Sequence, residues 1–394
     1  MQTAPRRVLP ALVLAQLAGT SSWFAVNAVM PDLQRQFGWD AAAVGTLTAA
    51  LQAGFIGGTL VFALLAVADR FSARWVFGVC ALGAAFCTVA AASGASSFSA
   101  LMAWRVLTGV CLAGIYPVGM KIAAAWFPGG LGNALGWLVG ALVLGSASPH
   151  ALRALGADLD WRLVFYGVAF ATALAGALLV AALPEAPRPL RPATLHFSAL
   201  ASIWRDRRVR AAASGYFGHM VELYTVWVLV PTVLATRLAS QGAVSWGAFA
   251  VIGAGAAGCV AGGMLARRFG SARVGAAMLA TSGVCCLLSP LALTAPLWLF
   301  GAWLGVWGFS VAGDSPQFSA LTASQAPPHA VGSVLTLVNS IGFAISVISI
   351  ECFVRLVHDH ALASVLPWIA LGPALGLLGL RSLTGSGARP RNDR

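Results

Sequence analysis

Twelve apolar stretches, each about 20 residues long, follow one another along this chain with little between them. They run over roughly 9–30, 42–67, 75–93, 98–123, 131–150, 162–183, 211–236, 245–266, 273–292, 296–322, 331–355 and 362–381. Hydrocarbon offers the backbone no water, so a segment that crosses it is a helix or belongs to a closed barrel. A barrel would show short segments of alternating polarity, and these runs are unbroken. The composition agrees: charged residues make up 9%, against about 25% in an ordinary soluble domain. The expectation is an all-α, multi-pass membrane protein. The first run is long and leads straight into the second, with no small-residue cleavage site, so no cleavable signal is expected.

The chain also repeats itself. Trp104, Gly109, Ala113, Gly114, Pro117 and Pro128 recur as Trp303, Gly308, Ala312, Gly313, Pro316 and Pro327, each pair 199 positions apart in 394 residues. Long-period self-similarity of this kind points to fused halves. We therefore expect an N-terminal six-helix bundle over 1–183 and a C-terminal one over 211–394, related by a pseudo-two-fold axis along the membrane normal, with the binding site between them. The polar stretch 184–210, with Pro184, Pro187, Pro189 and Pro192 closely spaced, reads as a linker on the cytoplasmic side.

A net charge of +12 raises the question of nucleic acid. Its distribution answers otherwise. With twelve spans, Arg6, Arg70, Arg74, Arg205, Arg207 and Arg268 share one side with many other arginines, whereas Arg35, Arg153, Arg162, Arg237 and Arg355 face the other. This bias places both termini in the cytoplasm and the chain in the cytoplasmic (inner) membrane. No nucleic-acid partner is expected. The seven cysteines fall inside predicted helices and read as small buried hydrophobes; no zinc spacing and no cofactor site is expected.

Two short motifs carry a resemblance. Ala66-Val67-Ala68-Asp69-Arg70-Phe71-Ser72-Ala73-Arg74, between helices two and three, resembles the G-x-L-A-D-R-x-G-R-R loop of the major facilitator superfamily, without its leading and internal glycines. The matching loop of the second half, Gly263 to Gly270, keeps those glycines and has Arg267 where the acid would be. Leu101 to Gly109 is similar to the L-x-x-x-R-x-x-x-G element of helix four. The resemblance implies secondary active transport by alternating access, with Asp69, Arg70 and Arg74 as a conformational latch and Arg105 linked to proton coupling or anion binding. A plain helix-end charge pair is the alternative for the three loop residues, and bonding to carbonyls of a neighbouring helix is the alternative for Arg105. Helix five carries Gly132, Gly136 and Gly140 but lacks the G-P-x-x-G-G core of the antiporter branch. Gly129-Gly130-Leu131-Gly132-Asn133 resembles the nitrate and nitrite branch in part, yet Gln52 stands in the region where that branch expects an arginine.

Charges kept inside a bilayer usually face a cavity or a partner. Glu222 lies near the middle of helix seven, with His219 three residues earlier on the same face, an arrangement able to pass a proton. A hydrogen-bonded pair that stitches helices together is the bland alternative. As a metal site, His219 and Glu222 supply two ligands and the spacing shows no third, so no metal is expected. Asp314 stands in helix ten between Gly313 and Ser315-Pro316, where local unwinding is expected beside the acid. Proton coupling is assigned to Glu222, His219 and Asp314. Trp303 and Trp307 share a stripe with Asp314, and their indole faces suit a cationic or aromatic solute. Helix one presents Gln16, Thr20, Trp23 and Asn27 on one face, and helix two Thr48 and Gln52. Substrate contact is assigned to Arg105, Asn27, Gln52, Trp23, Tyr116 and Trp307. Lys121 is expected to snorkel to the interface and Glu351 to pair with Arg355.

No catalytic constellation stands out, and no enzyme is expected. The reading is a monomeric carrier that moves a small polar or amphipathic solute across the membrane with protons as coupling ion. A non-transporting sensor of the same fold, or an anion uniporter or exchanger without proton coupling, are the alternatives.

Overall fold

The computed structural model describes residues 5–94, 97–127, 131–156, 159–185, 198–327 and 330–384, and every regular element among them is a helix. Pro128, Gly129 and Gly130, and Pro187, Pro189 and Pro192 of the connecting stretch, lie outside the described residues. Eleven helices are long and apolar enough to cross a membrane. The remaining expected crossing, span ten, is divided into Leu297–Gly313 and Ser315–Gln325, with Asp314 at the junction. The protein is thus a twelve-span membrane protein of two six-helix halves.

The 199-residue repeat reappears in the helix boundaries. Span four consists of Phe98–Leu112 and Tyr116–Trp126, and both segments begin 199 positions before their counterparts in span ten. Pro117 and Pro316 sit in the first turn of each second segment, where a missing N–H costs nothing and the fixed φ favours a new helix. The repeated glycines are used alike. A Cβ on Gly109 would lie 1.9 Å from the carbonyl oxygen of Leu51 in span two, and one on Gly308 would lie 2.0 Å from that of Val251 in span eight. Only glycine lets these backbones touch.

Span one is also interrupted. Its helices Val8–Thr20 and Ala25–Phe37 are joined by a 3₁₀ turn, Ser21–Phe24. The helices at both ends of the spans outrun the apolar windows. Span one reaches Phe37 and span five reaches Leu155, and span seven starts at Arg207 with Asp206 as its cap, accepting from the N–H groups of Arg208 and Val209. Basic and acidic residues extend these helices past the apolar windows, so Ser198–Arg205 and the residues from Arg207 to Arg210, expected in the linker, are already helical. The two halves meet along spans two and eleven and along spans five and eight.

Gly109→Ala is expected to destabilise the protein by about 1–3 kcal/mol through overpacking. Gly57→Ala, where an added Cβ meets nothing within 4 Å, should change stability by less than about 0.5 kcal/mol. Thermal denaturation of the purified variants checks this; equal melting of Gly109→Ala and wild type would contradict the close crossing.

Candidate functional site

A cavity of about 500 Å³ lies between the halves. Loop 66–70 and the ends of spans four, ten and eleven form its mouth, on the face that carries the loop. Phe55, Tyr116 and Phe343 line it deeper in the bundle. Its wall is mainly apolar, with Thr59, Thr336, Asn339 and Ser340 as polar points; the hydroxyls of Thr59 and Ser340 have no partner among the described residues. Asp69 and Lys121 are the charged residues among its described lining, and they neutralise each other in an ion pair. Lys121 also donates to the carbonyl of Ala68 at 2.8 Å. It turns to Asp69 of the loop instead of snorkelling as expected, because that half-buried acid lies within its reach.

Beyond Phe55 and Phe343 an aromatic layer joins the halves. Trp23 of span one stacks on Tyr224 of span seven at 5.9 Å and packs against Phe343 of span eleven at 5.7 Å. Phe24 meets Trp227 edge-on at 5.6 Å, and Phe55 meets Phe343 at 4.7 Å. Such pairs add to the burial of their area and exclude water. On the same seam Ser346 donates to Gln52 Oε1 at 2.8 Å, and His358 lies 3.8 Å from Asp40 at the opposite face. The cavity is therefore open towards the loop face and closed towards the other.

Arg105 holds this layer in place from behind. Fully buried, it donates to the carbonyls of Ser22 at 2.9 Å and Trp23 at 2.5 Å, the oxygens released by the break in span one. A planar guanidinium suits two such acceptors better than an ammonium would. The side chain is not on the cavity wall, so the structure does not bring it to a solute there. The other candidates divide. Tyr116 lines the cavity and Trp23 closes it. Asn27 donates to Thr48 at 2.9 Å, Gln52 bridges to Ser346, and Trp307 packs on Trp303 at 4.9 Å inside the second half.

The second half contains a separate polar centre. His219 Nδ1 lies 2.8 Å from Asp314 Oδ1, so the histidine pairs across to span ten rather than along its own helix to Glu222. Glu222 instead accepts from Ser282 at 2.5 Å and receives the Cys286 thiol at 3.8 Å, both from span nine. All three acid–base side chains are fully buried, and one potential ligand atom from each lies within 4.8 Å of the others. The expected unwinding at Asp314 is limited to a one-residue break: the helix stops at Gly313 and restarts at Ser315, while Asp314 itself keeps helical dihedrals.

Asp69 and Arg74 make their bonds within the first half and to the start of the connecting stretch, not to the second half. Asp69 pairs with Lys121; Arg74 binds Glu185 at 2.8 Å and the carbonyl of Leu183 at 2.8 Å; Arg70 is exposed. Glu351 and Arg355 form the expected i, i+4 pair. Sequence reasoning missed the buried pair of Asp32 in span one with Arg153 in span five, at 2.8 and 2.9 Å. Both residues fall just beyond the apolar windows. Arg35, three residues after Asp32, was the signal that the helix continues.

Arg105→Ala leaves two buried carbonyls unpaired, at about 1–3 kcal/mol each. We expect a matching fall in melting temperature, only partly recovered by Arg105→Lys, measured on purified protein. Melting unchanged in both variants would detach Arg105 from the turn.

Comparison with known proteins places these features in context. Residues 12–350 match the family described as Major Facilitator Superfamily. A "Chloramphenicol resistance protein" of Streptomyces lividans is 35% identical over 161 residues, a match that spans 40% of each chain. Among solved structures, the fold resembles the human organic anion transporter MFSD10 (TETRAN), with TM-score 0.74, 17% identity and coverage of 95% of this chain and 99% of that one. It also resembles a bacterial homolog of the human lysosomal transporter Spinster in an inward-facing, unoccupied conformation, with TM-score 0.71, 17% identity and coverage of 95% and 97%. A third likeness is the proton:xylose symporter XylE, with TM-score 0.73, 15% identity and coverage of 96% and 95%.

Proposed function

From the premise that the chain belongs to the Major Facilitator Superfamily, we propose that it is a carrier that expels an uncharged, amphipathic, aromatic solute from the cell in exchange for protons. The observation that carries the solute class is the cavity. Its wall offers aromatic faces and a few hydroxyl and amide groups, and its charges are already paired with each other. A small charged ion would lose its hydration there without gaining a partner. An aromatic amphipath would gain apolar burial and two or three hydrogen bonds. The partial relative named for chloramphenicol resistance supports the same class and the outward direction.

The arginine bias puts the loop face and both termini in the cytoplasm of a cytoplasmic membrane. The cavity then opens inward, as cargo uptake for export requires. Proton coupling is assigned to Glu222, His219 and Asp314. Two carboxylates and one imidazole in a closed bundle leave excess negative charge that a proton removes at far lower cost than burial of the bare ions. Solute and proton then occupy different places, the first between the halves and the second within one of them. The protein acts as a monomer.

Glu222→Gln is expected to reduce pH-driven solute flux in proteoliposomes at least about tenfold, while solute-for-solute counterflow is retained in part. Full pH-driven flux in that variant would remove the coupling assignment. Saturable binding of such solutes with no flux under any gradient would instead favour a sensor.

A further inference from the structure

We infer that His219, Glu222 and Asp314 also form a binding site for a divalent transition metal of the zinc type, a role beyond the transport reading in which metal and coupling proton compete for the same side chains. Along the sequence, helix seven supplies two donors three residues apart. The fold brings the third from the break in span ten. Each residue contributes one ligand atom, and the three atoms lie within 4.8 Å of one another, with His219 Nδ1 and Asp314 Oδ1 already at 2.8 Å. Zinc bonds of about 2.0–2.2 Å put neighbouring donors about 3.3–3.5 Å apart, so small side-chain rotations close the set.

Two further observations point to a ligand. Both ring nitrogens of His219 and both carboxylate oxygens of Asp314 lack a well-formed hydrogen bond among the described residues, although both side chains are fully buried. Unmade bonds of that kind are costly in an apolar bundle, and a metal would take one nitrogen of His219 and an oxygen of Asp314. With the imidazole bound as a ligand, the two carboxylates carry a charge that a divalent ion cancels. The donor set selects the ion class. Magnesium and calcium prefer all-oxygen shells, whereas imidazole, with the Cys286 thiol 3.8 Å from Glu222 and the Ser282 hydroxyl at 2.5 Å as possible fourth donors, suits zinc or cobalt.

The test uses full-length, tag-free protein in detergent, stripped with chelator and then incubated overnight with ZnCl₂ or MgCl₂. We expect zinc, and not magnesium, to raise the melting temperature by several degrees and to remain bound at about one ion per chain after gel filtration. His219→Gln and Asp314→Asn should each weaken zinc binding at least about tenfold, whereas a His358→Ala, His360→Ala double variant, altered on the opposite face, should bind as wild type. Cobalt provides a readout that does not rely on the variants: loading wild-type protein should produce the visible absorption of a four-coordinate Co(II) centre. No zinc-specific shift and no cobalt spectrum in wild type would overturn the site, as would equal zinc binding by folded His219→Gln and Asp314→Asn. Failure here leaves the pH-driven flux of wild type untouched, so the two readings fail separately.

Discussion

A helix broken inside a bilayer exposes carbonyl oxygens that lipid cannot satisfy. In this protein Arg105 satisfies those of span one, and much of the rest depends on that bond. The Ser21–Phe24 turn that it holds sets the directions of Trp23 and Phe24. Those two rings reach across to Tyr224, Trp227 and Phe343 and, with Phe55, close the cavity on one side. The charge inside the first half thus shapes the barrier between the halves. Its cost is met by two short bonds in a place without water, where each is worth more than at a surface.

The repeat supplies a common frame that the two halves use differently. The break, proline and helix-crossing glycine of span four recur 199 residues later in span ten, whereas span seven runs unbroken where span one turns. The side chains of the polar centre do not recur. Thr20, Trp23 and Ile115 stand in the first half where His219, Glu222 and Asp314 stand in the second. An aromatic lid occupies span one at the position where span seven carries its acid. Under the proposed function, this distribution assigns the barrier to one half and the coupling charge to the other, with the solute between them.

Fold class, span number and the break at Asp314 were legible in the sequence because they follow from hydropathy, period and proline chemistry, all local properties. Partners across the bundle were not. His219 shares a helical face with Glu222, yet its nearer acid comes from span ten, 95 positions away. Nothing in the spacing of span seven announces Ser282 or Cys286, since both look like ordinary small residues of span nine. The helix-four element singles out Arg105, but a motif does not say whether a charge meets a solute or a backbone turn. Asp32 and Arg153 were lost for a simpler reason: apolar windows end before the helices do.

Under the proposed function, an uncharged aromatic amphipath leaves the cavity in exchange for protons that pass through the second half. Proteoliposomes loaded with chloramphenicol-like solutes and given a pH gradient of either sign test it most directly. The account predicts that solute accumulates in the more acidic compartment and that accumulation reverses when the gradient is reversed. Accumulation in the alkaline compartment, or flux indifferent to the gradient, would contradict it.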